Sequence, residues 1–276
     1  MSDDKPLDEQ VLHRVEDGVS WITLNRPEAH NAITPDQRNL VIDLLQAASE
    51  DLGIRAVVLT ATGKGFCTGA DLRAGRAAPK ARPAGAPDRA AGEVARLIRD
   101  GAQRLVAAIL DCEKPVIGAI NGTAAGIGAH MAFACDLVLA ADTAKFVEVF
   151  VRRGLVPDGG GAYLLPRLIG VQRTKELLFF GDSLSAEDAA AIGLVNRVVP
   201  ADELLDVAAE WAQRLATGPT RSIALTKWLV NRSLESDRAG AFHDEAIAQD
   251  LNMTTADAQE GVAAFVERRD PEYHGW

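Results

Sequence analysis

KPVIGAINGTAAGIGAHMAFACD, from Lys114 to Asp136, is the stretch whose reading decides the fold. Pro115 to Ile120 is a short apolar run rich in β-branched residues, bounded by proline and by Asn121-Gly122, and too brief for a helix; it predicts a buried strand. A helix follows, starting at the Gly126-Ile127-Gly128 turn and ending near Cys135. Strand, glycine turn and helix together aim unpaired N–H groups, backed by the helix dipole, at whatever binds above the turn. The natural guest is an anion, or a carbonyl oxygen that gains charge. Such junctions also hold nucleotides or simply pack tightly. The common nucleotide motifs are absent: a dinucleotide fingerprint needs glycine where Met131 stands, and Gly63-Lys64 and Gly65 lack the upstream glycine and the Lys-Ser/Thr ending of a phosphate loop.

The surrounding chain bounds the class. Its 276 residues can bury a substantial core, and 47% hydrophobic content fits a soluble globular protein. Met1 to Glu9 is polar, and no apolar run reaches membrane-spanning length, so the expectation is a cytoplasmic protein without a membrane partner. A net charge of −10 argues against nucleic acid as a partner. Cys67, Cys112 and Cys135 are widely spaced and odd in number, which predicts reduced thiols, and neither they nor the five histidines show metal-ligand spacing. No metal is expected.

Working outward along the chain, residues 11–24 alternate around Asp17-Gly18 and predict a hairpin. Thr34-Pro35-Asp36-Gln37 is a capping box with proline at the first helical position. Ala56 to Ala61 is a continuous apolar run, as expected of a strand covered on both faces, and it leads into GKGFCTGADL, residues 63–72. Residues 74–92 lack periodicity and predict a long loop, either a flap over a site or a solvated insertion. Val94, Leu97, Ile98, Leu105 and Ile109 mark a helix, Leu137 to Ala140 a strand, and Phe146 to Val151 an apolar segment. Strands alternate with helices as far as Pro200, which predicts an α/β architecture with parallel strands. Beyond it the pattern is helical, with Asp257 and Glu260 placed to cap the last helix.

These residues resemble the crotonase superfamily of enoyl-CoA hydratases and isomerases over nearly the whole chain. Five motifs carry the likeness in order: LNRPEAHNAI (24–33), GKGFCTGADL (63–72), KPVIGAINGTAAGIG (114–128), GLVPDGGGAYLLPRLIG (154–170) and DAQEGVAAFVERR (257–269). The resemblance implies a spiral of repeated ββα units over residues 1–200 and a C-terminal helical trimerisation region over 201–276, giving a trimer or a dimer of trimers. It implies an acyl-CoA thioester as substrate, no separate cofactor, and an oxyanion hole made by the backbone N–H groups of Ala70 and Ile127. Two such donors stabilise a thioester enolate without reorganising, each typically worth about 3 kcal/mol. By the same likeness Arg26, Ala29, Ala70, Asp71, Leu72, Arg73, Gly126, Ile127 and Phe150 contact the substrate or its CoA, with Phe265 and Arg268 contributing from a neighbouring subunit.

The departures are informative. Family hydratases use two glutamates to activate water, and the matching positions here are His130 and Phe150. A phenyl ring carries no proton, and Glu148 is two residues away, an offset that keeps its carboxylate from the same point. Asp158 remains, at a position where several family isomerases keep their single acidic base. An apolar surround would make it a better base near neutrality. The alternative for Asp158 is a turn or cap before three glycines, and for His130 a packed histidine of no catalytic role. The leading expectation is double-bond or ring isomerisation with Asp158 as base. Its rivals are a hydratase in which His130 and Asp158 activate water, and an acyl-CoA-binding protein with little catalysis.

Overall fold

The structure, a computed structural model, describes residues 5–72, 82–87 and 90–276. One helical turn, α1 (Leu7–Gln10), leads into the hairpin β1 (Val11–Glu16) and β2 (Val19–Leu24). Then comes α2 (Pro35–Glu50), opened by a complete capping box between Thr34 and Gln37. β3 (Ala56–Ala61), buried along its whole length, and β4 (Gly65–Cys67) follow. The helix expected around residues 94–109 is interrupted: α3 (Glu93–Ile98) runs through a π turn at Arg99–Gln103 into α4 (Arg104–Asp111).

The central stretch folds as β5 (Val116–Ile120), β6 (Thr123–Ala125) and α5 (Ile127–Ala134). Every residue of α5 is buried, so the helix runs through the interior with no solvated face. β7 (Leu137–Ala141) and β8 (Lys145–Val147) come next, and the apolar segment after β8 turns into a short 3-10 helix at Val151–Arg153. Then follow α6 (Gly161–Phe180), β9 (Ser183–Ser185), α7 (Ala186–Ala191) and β10 (Arg197–Val199). Four helices complete the chain: α8 (Leu204–Ala216), α9 (Thr220–Ser233), α10 (Arg238–Asn252) and α11 (Ala256–Glu267).

The strands form two sheets, one in the order β1-β2-β3-β5-β7-β10 and one in the order β4-β6-β8-β9. Apart from the β1–β2 and β8–β9 pairs, all neighbours are parallel. Each successive pair, β3–β4, β5–β6 and β7–β8, gives its first strand to the large sheet and its second to the small one, followed by helix. This is the ββα spiral of the crotonase fold. Its turns stack closely at Gly128, where an added Cβ would lie 2.0 Å from the Cys67 carbonyl oxygen, so the start of α5 rests on the β4 backbone.

α8 buries Leu204, Ala208 and Ala212 against β2, β3, β5 and β7, so the first helix beyond residue 200 is physically part of the core. α9 is tied down by Lys227, whose Nζ lies 2.7 Å from Asp136 and donates to the Ile109 and Lys114 carbonyls. No helix among the described residues is long and apolar enough to cross a membrane.

The cap of α11 differs from the sequence expectation. Thr255, extended at φ −80° and ψ 149°, caps it by accepting the Ala258 N–H. Asp257 is buried and serves the C-terminal tail, accepting the N–H groups of His274 at 2.7 Å and Gly275 at 2.8 Å. Asp257→Ala strands both donors and should cost about 3 kcal/mol in urea unfolding while making residues 271–276 susceptible to carboxypeptidase. A variant with unchanged stability and a protected tail would contradict this assignment.

Candidate active site

The site is assembled where consecutive turns of the spiral meet. After β4 the chain forms a parallel bridge between Ile33 and Ala70: the Ile33 N–H donates to the Gly69 carbonyl and the Asp71 N–H donates to the Ile33 carbonyl, both at 2.9 Å. This pattern uses the residues flanking Ala70, so the N–H of Ala70 itself points away from Ile33. Ile127 is the first residue of α5, and its N–H therefore has no acceptor within the helix. The dipole of α5 adds to the attraction for negative charge at this end.

Two residues of the LNRPEAHNAI motif brace the Ala70 loop. Arg26, expected to contact CoA, is 3% exposed, with its Nη1 3.0 Å from the Asp71 carboxylate and 3.1 Å from the Ala32 carbonyl. A guanidinium buried this way aligns the loop, and Asp71, its partner, is equally committed. Asn31, which sequence reasoning passed over, sits at φ 53° and donates from Nδ2 to the Thr62 and Gly65 carbonyls while its Oδ1 accepts the Arg26 N–H. The available signal was an asparagine four residues after Pro27, a residue type that tolerates the left-handed conformation of tight turns.

Ala70 and Leu72 are exposed, Ala29 is half-buried, and Gly126 is buried under Val149 and Phe150. Arg73 and residues 74–81 and 88–89 of the expected loop lie outside the described residues. Phe265, 85% exposed, and Arg268 stay on the surface at the end of α11 and take no part in the packing that joins Ile127, His130 and Phe150.

Behind the two N–H groups lies a polar cluster. His130, one turn into α5, is fully buried; its Nε2 is 3.1 Å from Glu148 Oε2, and its ring stacks on Phe150 with centroids 5.3 Å apart. The glycines after Asp158 wrap the same ring: a Cβ on Gly159 would come 2.8 Å from Nδ1, and one on Gly161 2.2 Å from Nε2. Glu148 does not stand in for Phe150, as its spacing implies, but it reaches the cluster from behind His130, which the sequence reading missed. The signal was a lone carboxylate in the apolar run FVEVFV.

Asp158 is half-buried at the mouth of this cluster. Burial pushes its carboxyl above the ordinary value, and the nearby His130 offsets part of that rise.

Comparison with known proteins identifies the family. The sequence profile of the enoyl-CoA hydratase/isomerase family matches residues 14–275. The chain belongs to that family. It is similar to a 1,2-epoxyphenylacetyl-CoA isomerase of Escherichia coli K12, 39% identical over 97% of this chain and 99% of the relative. It is also similar to a crotonyl-CoA hydratase of Syntrophomonas wolfei, 34% identical over 96% of this chain and 98% of the relative. Among solved structures, an enoyl-CoA hydratase from Mycobacterium smegmatis superposes with a TM-score of 0.86 at 34% identity, covering 98% of this chain and all of the other. The protein is thus a crotonase-type enzyme.

A carboxyl raised by burial favours folding below the ordinary carboxylate value of about 4, and that contribution is lost as pH rises through its higher folded-state value. Asp158→Asn should therefore melt above the wild type at pH 7, with the difference vanishing as pH falls below the ordinary carboxylate range. Thermal melts at both pH values check this; an Asn variant less stable at neutral pH runs against it.

Proposed function

We propose that the enzyme isomerises an unsaturated or ring-derived acyl-CoA, with Asp158 moving one proton between two carbons while the Ala70 and Ile127 N–H groups hold the thioester enolate. The observation that carries this reading is the distribution of carboxylates: Asp158 is half-open to the site, whereas Glu148 is 4% exposed behind His130 and Phe150 offers no proton. A single base suffices for a 1,3-proton shift, because the group that takes the proton from C2 can return it at C4. The similarity to an isomerase named for a ring-epoxide thioester supports a ring-derived acyl group.

Hydration is the second reading, supported by the relatives named as hydratases. It requires His130 and Asp158 to share a water, and the complete burial of His130 weighs against that. The enzyme is further inferred to be cytoplasmic, in keeping with three buried free thiols. A trimer or a dimer of trimers is inferred from the exposed apolar side chains Phe242, Leu251, Phe265 and Val266 on the C-terminal helices. Light scattering should give a mass that is a multiple of three chains; a monomer at micromolar concentration would refute this.

Product analysis separates the two chemistries. A 3-enoyl-CoA should be converted to its 2-enoyl isomer, and Asp158→Asn should reduce that kcat by about two to four orders of magnitude with CoA-ester affinity retained. Rapid hydration of a 2-enoyl-CoA without isomerisation of the 3-enoyl compound would replace the isomerase with the hydratase. The oxyanion hole is tested at the backbone. Proline is tolerated at a first helical position, so Ile127→Pro removes the N–H and should lose about a hundredfold or more in kcat, while Ile127→Ala keeps most activity. Equal rates for the two variants would move the donor elsewhere.

A further inference from the structure

The His130–Glu148 pair is more than a packed histidine requires. Both side chains are buried, Nε2 and Oε2 are 3.1 Å apart, and the two remaining polar atoms, His130 Nδ1 and Glu148 Oε1, have no hydrogen-bond partner. Burying a carboxylate with one oxygen unmet costs stability, and an apolar pair of similar volume would avoid that cost. The unmet Nδ1 is not turned toward bulk solvent. It faces the backbone of Gly159, the residue after Asp158, at the point where a side chain on Gly159 would come 2.8 Å from it.

We propose that Glu148 is a positioning residue for proton transfer: by accepting the Nε2–H of His130 it holds the imidazole in the tautomer whose Nδ1 lone pair faces the Asp158 segment, ready to accept a hydrogen bond from the Asp158 carboxylic acid formed during turnover. This rests on the isomerase reading above. In the first half-step the C2–H bond breaks, the proton forms an O–H bond on Asp158, and the electron pair enters the thioester enolate. In the second, the Asp158 O–H bond breaks, a C4–H bond forms with the electron pair returned from the enolate, and the double bond is left between C2 and C3. His130 gains and loses no proton overall. It steadies the neutral acid between the half-steps and orients the O–H.

The stacking of Phe150 on one ring face and the glycines at 159 and 161 leave the ring no room to flip, so Glu148 alone selects which nitrogen carries hydrogen. Replacing Glu148 by glutamine keeps the volume but allows its amide to donate to Nε2, which reverses the tautomer and turns Nδ1 from acceptor into donor.

Nitrogen NMR on protein with isotopically labelled histidine, with His130 assigned by its loss in His130→Gln, should show protonated Nε2 and unprotonated Nδ1 in the wild type. Glu148→Gln should abolish that signature and lower kcat for the 3-enoyl-CoA by about tenfold to a hundredfold, with KM within about twofold. The apolar double variant His130→Leu with Glu148→Met should recover thermal stability and leave kcat low, which a merely structural pair would not do. A protonated Nδ1 or an imidazolium in the wild type overturns the proposal, as does a Glu148→Gln variant with wild-type kcat, or recovery of kcat in the double variant. The NMR readout needs no turnover, so failure of the tautomer assignment is distinguishable from failure of the isomerase reading.

Discussion

The contact on which the rest depends is the seating of α5 on the backbone after β4. Gly128 lies so close to the Cys67 carbonyl that any side chain there would collide, and this approach places the first turn of α5 beside the loop that carries Ala70. In the proposed mechanism the N–H groups of Ala70 and Ile127, from different turns of the spiral, serve one oxyanion, and ordinary backbone geometry keeps each from an internal partner. In Ala70 the cause is the register of a parallel bridge; in Ile127 it is the start of a helix. Neither donor depends on a side chain. The loops are held instead by Arg26, Asn31 and Asp71, which join the LNRPEAHNAI and GKGFCTGADL motifs through buried polar contacts.

The floor of the same space trades stability for chemistry. An apolar pair in place of the buried His130 and Glu148 would avoid the cost of burying them, yet the chain keeps both with Asp158 beside them. Such concentrations of buried ionisable groups belong to functional sites more often than to scaffolds. The glycines that follow Asp158 complete the arrangement by letting the backbone lie against the imidazole ring.

Much of this was legible in the sequence, for identifiable reasons. β3 and β5 are continuous apolar runs because both faces are covered, and α2 announces itself through a capping box that the structure contains in full. The turn at Gly126-Ile127-Gly128 was readable because only small residues suit a helix start pressed against another backbone. What escaped were long-range pairings. Arg26 looks like a solvated cation until Asp71 is folded onto it, and Glu148 looks misplaced until the turn after β8 brings it behind His130. Asp257 fits a capping pattern by spacing, but Thr255 takes the cap and the carboxylate goes to a tail whose path no local signal gives. The π turn at Arg99–Gln103 also interrupts a helix that the apolar stripe reads as continuous.

The central claim, that one carboxylate exchanges a proton with an enolate held by two backbone N–H groups, is tested most directly by deuterium exchange. An acyl-CoA incubated in D2O with the wild-type enzyme should lose its C2 proton signal by NMR at a rate competent for turnover, and Asp158→Asn should suppress that exchange while still binding the thioester. Exchange at the wild-type rate in the Asn variant would show that another group removes the proton and would contradict the account.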